Sequence, residues 1–257
     1  EIVSGSMQDL DRGIIIGQNT YGKGLVQVTK PVAYKSKLKV TISKYYIPSG
    51  RCIQRIDYSH RSADGIASAL PDSLRKEFKT KSGRIVKDGA GIEPDVKTEE
   101  QRISPIAIAL YTNNHIFEFA NQYKHDHAIL RDANNFSMSD EEYTQFADYL
   151  KGKEYEYTTS SEVKLADLKK SIKDDSYSEG VQKVISDLEA QIKHDKSKDL
   201  LKNKPEIKRL LEQEIASRYT YEKGRIANSL KDDPEVKKAI EILSDGAKYK
   251  SMLTARK

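Results

Sequence analysis

The chain has 257 residues, and its 44 Lys and Arg against 39 Asp and Glu give a formal net charge of +5. At 37% hydrophobic and 32% charged it is long enough for one large or two ordinary domains but polar for a single compact core, so two unequal parts are expected. Residues 1 to 100 hold 17 Lys and Arg against 12 Asp and Glu while the remainder holds 27 of each, a diffuse excess without the clustered basic stripe of a nucleic-acid binder.

Residues 1 to 11 place Val3, Met7 and Leu10 at helical spacing, which predicts a helix with one buried stripe. Strand-like runs follow at 13–17, 24–32 and 37–47, the last ended by the turn Pro48, Ser49, Gly50. Residues 55–83, broken by Asp64, Gly65, Pro71, Asp72, Ser82 and Gly83, read as a long surface excursion, an insertion in preference to a lid. Short extended pieces at 84–87 and around Ile92 complete a first part whose alternation of helix and strand is α/β.

From Ser104 the period becomes 3.6, with Ser104 as N-cap and Pro105 in the first helical position. Ser139 and Glu142 form a capping box ahead of Tyr143, Phe146, Ala147 and Leu150. Leu165, Leu168 and Ile172 mark another helix, and Val181, Val184, Ile185, Leu188 and Ile192 a longer one. Pro205 and Pro234 open two further stripes: Ile207, Leu210, Leu211 and Ile215, then Val236, Ala239, Ile240 and Leu243. These stripes are expected to be core, giving an α/β part at 1–103 with a mixed sheet and helices, followed by an all-α helical bundle at 104–257.

The run GIIIGQNTYGKGLVQVTKP, residues 13–31, sets a lysine between two glycines directly after an apolar strand. Gly17, Gly22 and Lys23 satisfy part of a phosphate-binding loop, but Gly24 replaces the hydroxyl residue that would hold magnesium. The β-branched stretch that follows is a strand rather than the helix a phosphate loop requires. No nucleotide is therefore expected. The alternative is a lysine general base, which must be neutral near pH 7 and so needs water excluded around its amine. Gly22 and Gly24 permit close backbone approach, and strand alternation puts Gln27 on the face of Lys23, placed to orient the amine. Spacing alone leaves a solvated hairpin lysine equally open. The single cysteine, Cys52, excludes an internal disulfide framework. His125 and His127 are two ligands short of a zinc site and read as surface, so no metal or other cofactor is expected. No apolar run reaches the roughly 18 residues that span a bilayer as a helix.

Three ordered blocks, EIVSGSMQDLDRGIIIGQNTYGKGLVQ, LKVTISKYYIPSGRCIQ and GAGIEPDV, resemble the carboxyl-terminal processing (tail-specific) peptidases, serine proteases with a Ser/Lys dyad. The resemblance covers roughly residues 1–97. It implies that Lys23 is the general base, that Gln27 supports it, and that Glu1 and Asp9 are supporting carboxylates of the helix after the nucleophile. The nucleophile itself is the first serine of an S-A-S-E-I word, three positions before the glutamate that stands here as Glu1. The nucleophile segment and any PDZ domain are thus expected upstream, and Ser4 and Ser6 are ordinary small residues. The resemblance implies an endopeptidase that processes flexible C-terminal tails of polypeptides in the bacterial cell envelope, in the periplasm, with this chain inactive alone. From its attachment to a protease the helical part is expected to gate substrate, dock an adaptor or self-associate, with purely structural support equally open. The reading weighed against it is a non-catalytic scaffold on a protease-like core.

Overall fold

The computed structural model describes residues 1–174, 179–196 and 198–254. It divides into two compact units, Glu1–Glu100 with Asp233–Lys257, and Gln101–Asp232.

The first unit mixes strands and helices. It opens with α1 (Ile2–Asp9) and β1 (Ile16–Gly17), then β2 (Leu25–Pro31) and β3 (Lys37–Lys44). β4 (Ile56–Arg61), β5 (Ala67–Ala69), a 3₁₀ turn at Asp72–Leu74, β6 (Glu77–Lys79), β7 (Ile85–Lys87) and β8 (Val96–Lys97) follow. Among the described residues the strands pair two by two: β1 with β8 in parallel, and β2 with β3, β4 with β5 and β6 with β7 antiparallel. The β2–β3 register shifts between Val26 and Gln27, a bulge that resets which side chains share a face beyond Val26. The excursion at 55–83 resolves into the β4–β5 ribbon, the 3₁₀ turn and β6. Around Ile92 there is no strand; the residue is fully buried with Ile47 and Ile53, and Ile15 and Tyr45 pack against this small core.

Two later helices, α9 (Pro234–Ser244) and α10 (Gly246–Met252), cluster with this unit. The Thr98 hydroxyl donates to Glu235 at 2.6 Å and the Ser82 hydroxyl to the Leu253 carbonyl at 2.7 Å. Ile242 is the buried residue of α9, whereas Ile240 and Leu243, expected in the core, are 60% and 63% exposed.

The second unit is helical: α2 (Pro105–Thr112), α3 (His115–Asp126), α4 (Asp140–Tyr149), α5 (Ser160–Asp174), α6 (Glu179–Lys196), α7 (Asp199–Lys202) and α8 (Lys204–Leu230). The Ser104 side chain accepts from the Ala107 amide with Pro105 just inside, and Ser139 and Glu142 close a reciprocal capping box, each satisfying amides that would otherwise lack partners. Ile106, Leu110, Ile116, Phe119, Phe146, Ile207, Leu211 and Ile215 form the core, where Phe119 meets Phe146 edge-on at 5.0 Å. The stripes of α5 and α6 are only partly core: Leu165 and Ile185 are buried, while Leu168, Val184 and Leu188 stay exposed. These two helices pack on each other, and a helix pair covers only a narrow seam. α8 is kinked at Thr220 and Tyr221, where Tyr221 adopts φ 56° and ψ −150°.

α1 departs most from its sequence pattern. Ile2, Val3, Met7 and Leu10 are exposed, and Gly5, Gln8 and Asp9 are buried. Periodicity identifies which residues share a face but not which face turns inward. Here the inner face sets Gly5 over Ile47 and Ile92 and ends in the polar Gln8 and Asp9, because Arg51, itself 1% exposed, needs polar and anionic partners there.

Candidate functional site

The backbone on both sides of Lys23 is tied down by hydrogen bonds, and these position the residue. The Glu1 carboxylate, at the N-cap of α1, accepts from the Gly22 amide at 2.5 Å and the Lys23 amide at 3.1 Å. The Thr20 hydroxyl donates to the same carboxylate. The Gly24 amide donates to Gln54 Oε1 at 2.7 Å, and the Gly22 and Gly24 carbonyls accept from the Arg55 and Tyr45 amides at 2.9 Å. Burial works to raise the Glu1 pKa, but the Thr20 hydroxyl and the Gly22 and Lys23 amides together outweigh it and hold the carboxyl below its ordinary range.

The glycines are required here for space. Gly22 has φ +84°, and a Cβ on it would lie 2.6 Å from Arg55 Cβ; one on Gly24 would lie 2.9 Å from the Gln54 nitrogen. The close backbone approach expected of this loop is thus present. Water exclusion is not: Lys23 is exposed, although both flanking glycines are buried. Gln27 is likewise exposed, and its amide donates to the Thr41 hydroxyl at 3.2 Å rather than to the lysine. Lys23 and Gln27 nevertheless line one open cleft of about 1020 Å³. Tyr21, Leu25, Thr41 to Lys44 and Ile56 to Arg61 line it as well.

Asp9 lies at the other end of α1 and does not touch the lysine loop. One carboxylate oxygen accepts from Arg51 at 2.9 Å and the other from the Ser49 amide at 2.9 Å, with the Asp9 side chain fully buried. Ser4 bonds its hydroxyl to the Glu1 carbonyl at 3.2 Å, an ordinary helical contact.

Thr20, Arg51 and Gln54 were not singled out from the sequence. Thr20 opens the word TYGKG, and Arg51 follows the Pro48–Gly50 turn, but their partners lie 19 and 42 residues away, beyond any local spacing rule. Of the histidine pair, His127 stacks on Tyr123 at 4.2 Å and bonds its carbonyl at 3.0 Å. Among the described residues no group of three His, Cys, Asp or Glu is placed to hold a metal ion. No helix among them is long and apolar enough to cross a membrane.

Residues 106–243 match the family described as "Probable PDZ-protease, C-terminal helical domain", and residues 1–60 match Peptidase family S41. A carboxy-terminal-processing protease of Bartonella bacilliformis is 46% identical over 56 residues, 22% of this chain and 13% of that protein. A chloroplastic C-terminal processing peptidase of Tetradesmus obliquus is 37% identical over 59 residues, 23% of this chain and 13% of its own. A tail-specific protease of Haemophilus influenzae is 42% identical over 62 residues, 21% of this chain and 9% of that protein. The chain therefore matches 13% or less of the length of these curated relatives. No solved structure matches it significantly.

Proposed function

The chain belongs to the PDZ-protease family of carboxyl-terminal processing peptidases, and from that premise we propose that it forms part of a serine endopeptidase in which Lys23 is the general base. One observation carries this reading: a single carboxylate, Glu1, grips the amides of both Gly22 and Lys23, so the lysine is held beside the N-terminal end of α1. By the family pattern a serine three positions before Glu1 is the nucleophile. On this reading the serine precedes the same end of α1 that holds the Lys23 backbone amide.

In the acylation step the Lys23 amine accepts the serine proton as the oxygen attacks the scissile carbonyl, then returns a proton to the leaving amine. In deacylation it activates the hydrolytic water. Gln27, which lines the same cleft, orients the amine once the serine and substrate occupy it. Glu1 acts on the loop backbone, and Asp9 acts on the far end of α1.

Substrates on this reading are polypeptides whose flexible C-terminal tails enter the cleft in extended form, in the bacterial cell envelope and in the periplasm. The helical residues form a bundle that docks adaptors or a second copy. The test is turnover of tail peptides by a form of the protein carrying both the serine and this chain. Lys23→Ala should abolish cleavage, and Lys23→Arg should abolish it too, because a guanidinium stays protonated and cannot accept the serine proton. Unchanged cleavage by a folded Lys23→Ala protein would overturn the dyad and favour the scaffold reading.

A further inference from the structure

The mechanism proposed above uses Lys23 and its loop but leaves unexplained the largest fully buried side chain of the first unit, Arg51, which is 1% exposed. Its guanidinium makes three bonds to groups distant in sequence. One terminal nitrogen donates to Gln8 Oε1 at 2.7 Å and Asp9 Oδ1 at 2.9 Å, and the other to the Lys87 carbonyl at 2.9 Å. Gln8 in turn donates to the Glu93 carbonyl at 2.9 Å and to Asp95 at 3.1 Å, and Asp9 receives the Ser49 amide.

We infer that Arg51 is a positioning residue for Lys23, acting through α1 as a rigid strut. The helix has eight residues, a rise of about 12 Å. It is held at three points along that length. Glu1 at its start holds Thr20, Gly22 and Lys23. Gly5 in its middle lets Ile47 and Ile92 approach so closely that a Cβ there would stand 2.9 and 3.0 Å from their Cδ1 atoms. Gln8 and Asp9 at its end are held by Arg51.

The apolar residues Ile2, Val3, Met7 and Leu10 point away from these contacts and are exposed. The axial setting of the helix within this unit therefore rests on Gly5, on Glu1 and on an end clamp that Arg51 shares with Arg84, which donates to the Gln8 carbonyl at 3.0 Å, and with the Lys81 amide, which donates to the Asp9 carbonyl at 2.8 Å. Loosening the Arg51 clamp lets α1 slide or tilt, and the displacement reaches the lysine loop through Glu1, whose carboxylate moves with the helix. An ammonium cannot substitute fully, since the planar fork reaches Gln8, Asp9 and Lys87 at fixed angles. This also assigns a role to Asp9 that involves no contact with the reacting atoms: it is the counter-charge of the clamp.

The inference rests on the lysine-base reading only for its catalytic consequence, so the test has one arm that needs no activity. In the 257-residue chain, amide hydrogen exchange is read at Gly22 and Lys23, with the β2–β3 ladder amides of Val28 and Val40 and the second unit as internal references. Arg51→Gln should speed exchange at Gly22 and Lys23 about tenfold while the references hold, and Arg51→Lys should fall between it and the unaltered chain. In the serine-bearing form, Arg51→Lys should lower kcat with KM unchanged. If Arg51→Gln does not fold, Arg51→Lys and Asp9→Asn supply the same comparison. Gly22 and Lys23 exchange equal to that of the unaltered chain, or a uniform rise across the whole first unit in Arg51→Lys, would overturn the inference. Retained turnover in Lys23→Ala would instead sink the lysine-base reading and leave the exchange result standing.

Discussion

Lys23 is fixed to Glu1 through its main chain: its backbone amide donates to the carboxylate at 3.1 Å, while its side chain extends along an open cleft wall. The loop is thereby tethered at the backbone, while the side chain lies in the cleft. On the proposed reading, a general base that must meet both a serine proton and a water molecule is served by a fixed backbone origin.

The first prediction separates crowding from backbone strain. Gly22 and Gly50 have nearly equal φ values, +84° and +85°, but a Cβ on Gly22 meets Arg55 at 2.6 Å whereas nothing lies within 4 Å of one on Gly50. Both substitutions to alanine carry the left-handed penalty of about 1 kcal/mol or more. Gly22→Ala should cost about 1–3 kcal/mol beyond Gly50→Ala, the price of overpacking. Denaturant midpoints measure the difference. Equal losses would mean that loop relaxation absorbs the contact.

The buried Asp9–Arg51 pair gives the second. Removing Asp9 leaves an uncompensated guanidinium of which 1% is exposed, so Asp9→Ala should destabilise by about 3–5 kcal/mol. Adding Arg51→Met to Asp9→Ala should recover much of that loss, since the buried charge disappears with it. A double variant no more stable than Asp9→Ala would show that Arg51 is tolerated without its counter-ion.

How far the sequence alone reaches follows from the range of the interactions. Ser104 with Pro105, and Ser139 with Glu142, were legible because a cap involves residues three apart. The strands β2 and β3 were legible as separate strand-like runs, the first from its β-branched stretch and the second from the Pro48–Gly50 turn that closes it. The orientation of α1 was not, because the same period fits either face, and the deciding residue, Arg51, stands 42 positions from Asp9. The same limit applies to α9: its apolar stripe calls for a covering surface but does not say that Asp233 onward clusters with the first hundred residues. In the candidate site, the family resemblance pointed to Lys23 and Glu1, whose backbone amide and carboxylate are hydrogen-bonded to each other. The Thr20 hydroxyl and the Gln54 side chain that complete the loop's bonding were not legible, since a hydroxyl or amide carries no pattern until its partner is known.

Acid should weaken the first unit through two carboxylates. For Glu1 and Asp11 burial pushes the pKa up. For Glu1 the Thr20 hydroxyl and the Gly22 and Lys23 amides prevail over it, and for Asp11 the Ser82 amide and Arg84 do so. Both therefore lie below their ordinary values of 4.5 and 3.8. A folded pKa below the unfolded one gives stability that is complete above the unfolded value and disappears as pH falls through the folded value. Denaturant midpoints should be flat from about pH 7 to about pH 5 and drop below that, with part of the slope removed by Glu1→Gln and by Asp11→Asn. An unaltered slope in both variants would place the acid sensitivity elsewhere.

The kink in α8 supplies the last prediction. Tyr221, with φ 56° and ψ −150°, occupies a region that side-chain-bearing residues enter at a cost of about 1–3 kcal/mol. The residue is 82% exposed, so little burial offsets that strain. Glycine adopts such angles freely and forfeits only about 0.5–1 kcal/mol of chain entropy. Tyr221→Gly should therefore stabilise the second unit by about 1 kcal/mol, raising its melting temperature by several degrees. The comparison is Tyr219, two residues earlier, whose hydroxyl donates to the His127 carbonyl at 2.5 Å and whose ring lies under Lys124 at 3.9 Å. Tyr219→Gly loses those contacts inside a regular helix and should destabilise by about 1–3 kcal/mol. Opposite signs for two tyrosines two positions apart would establish the kink in solution. Equal destabilisation would mean that the helix runs straight through Tyr221.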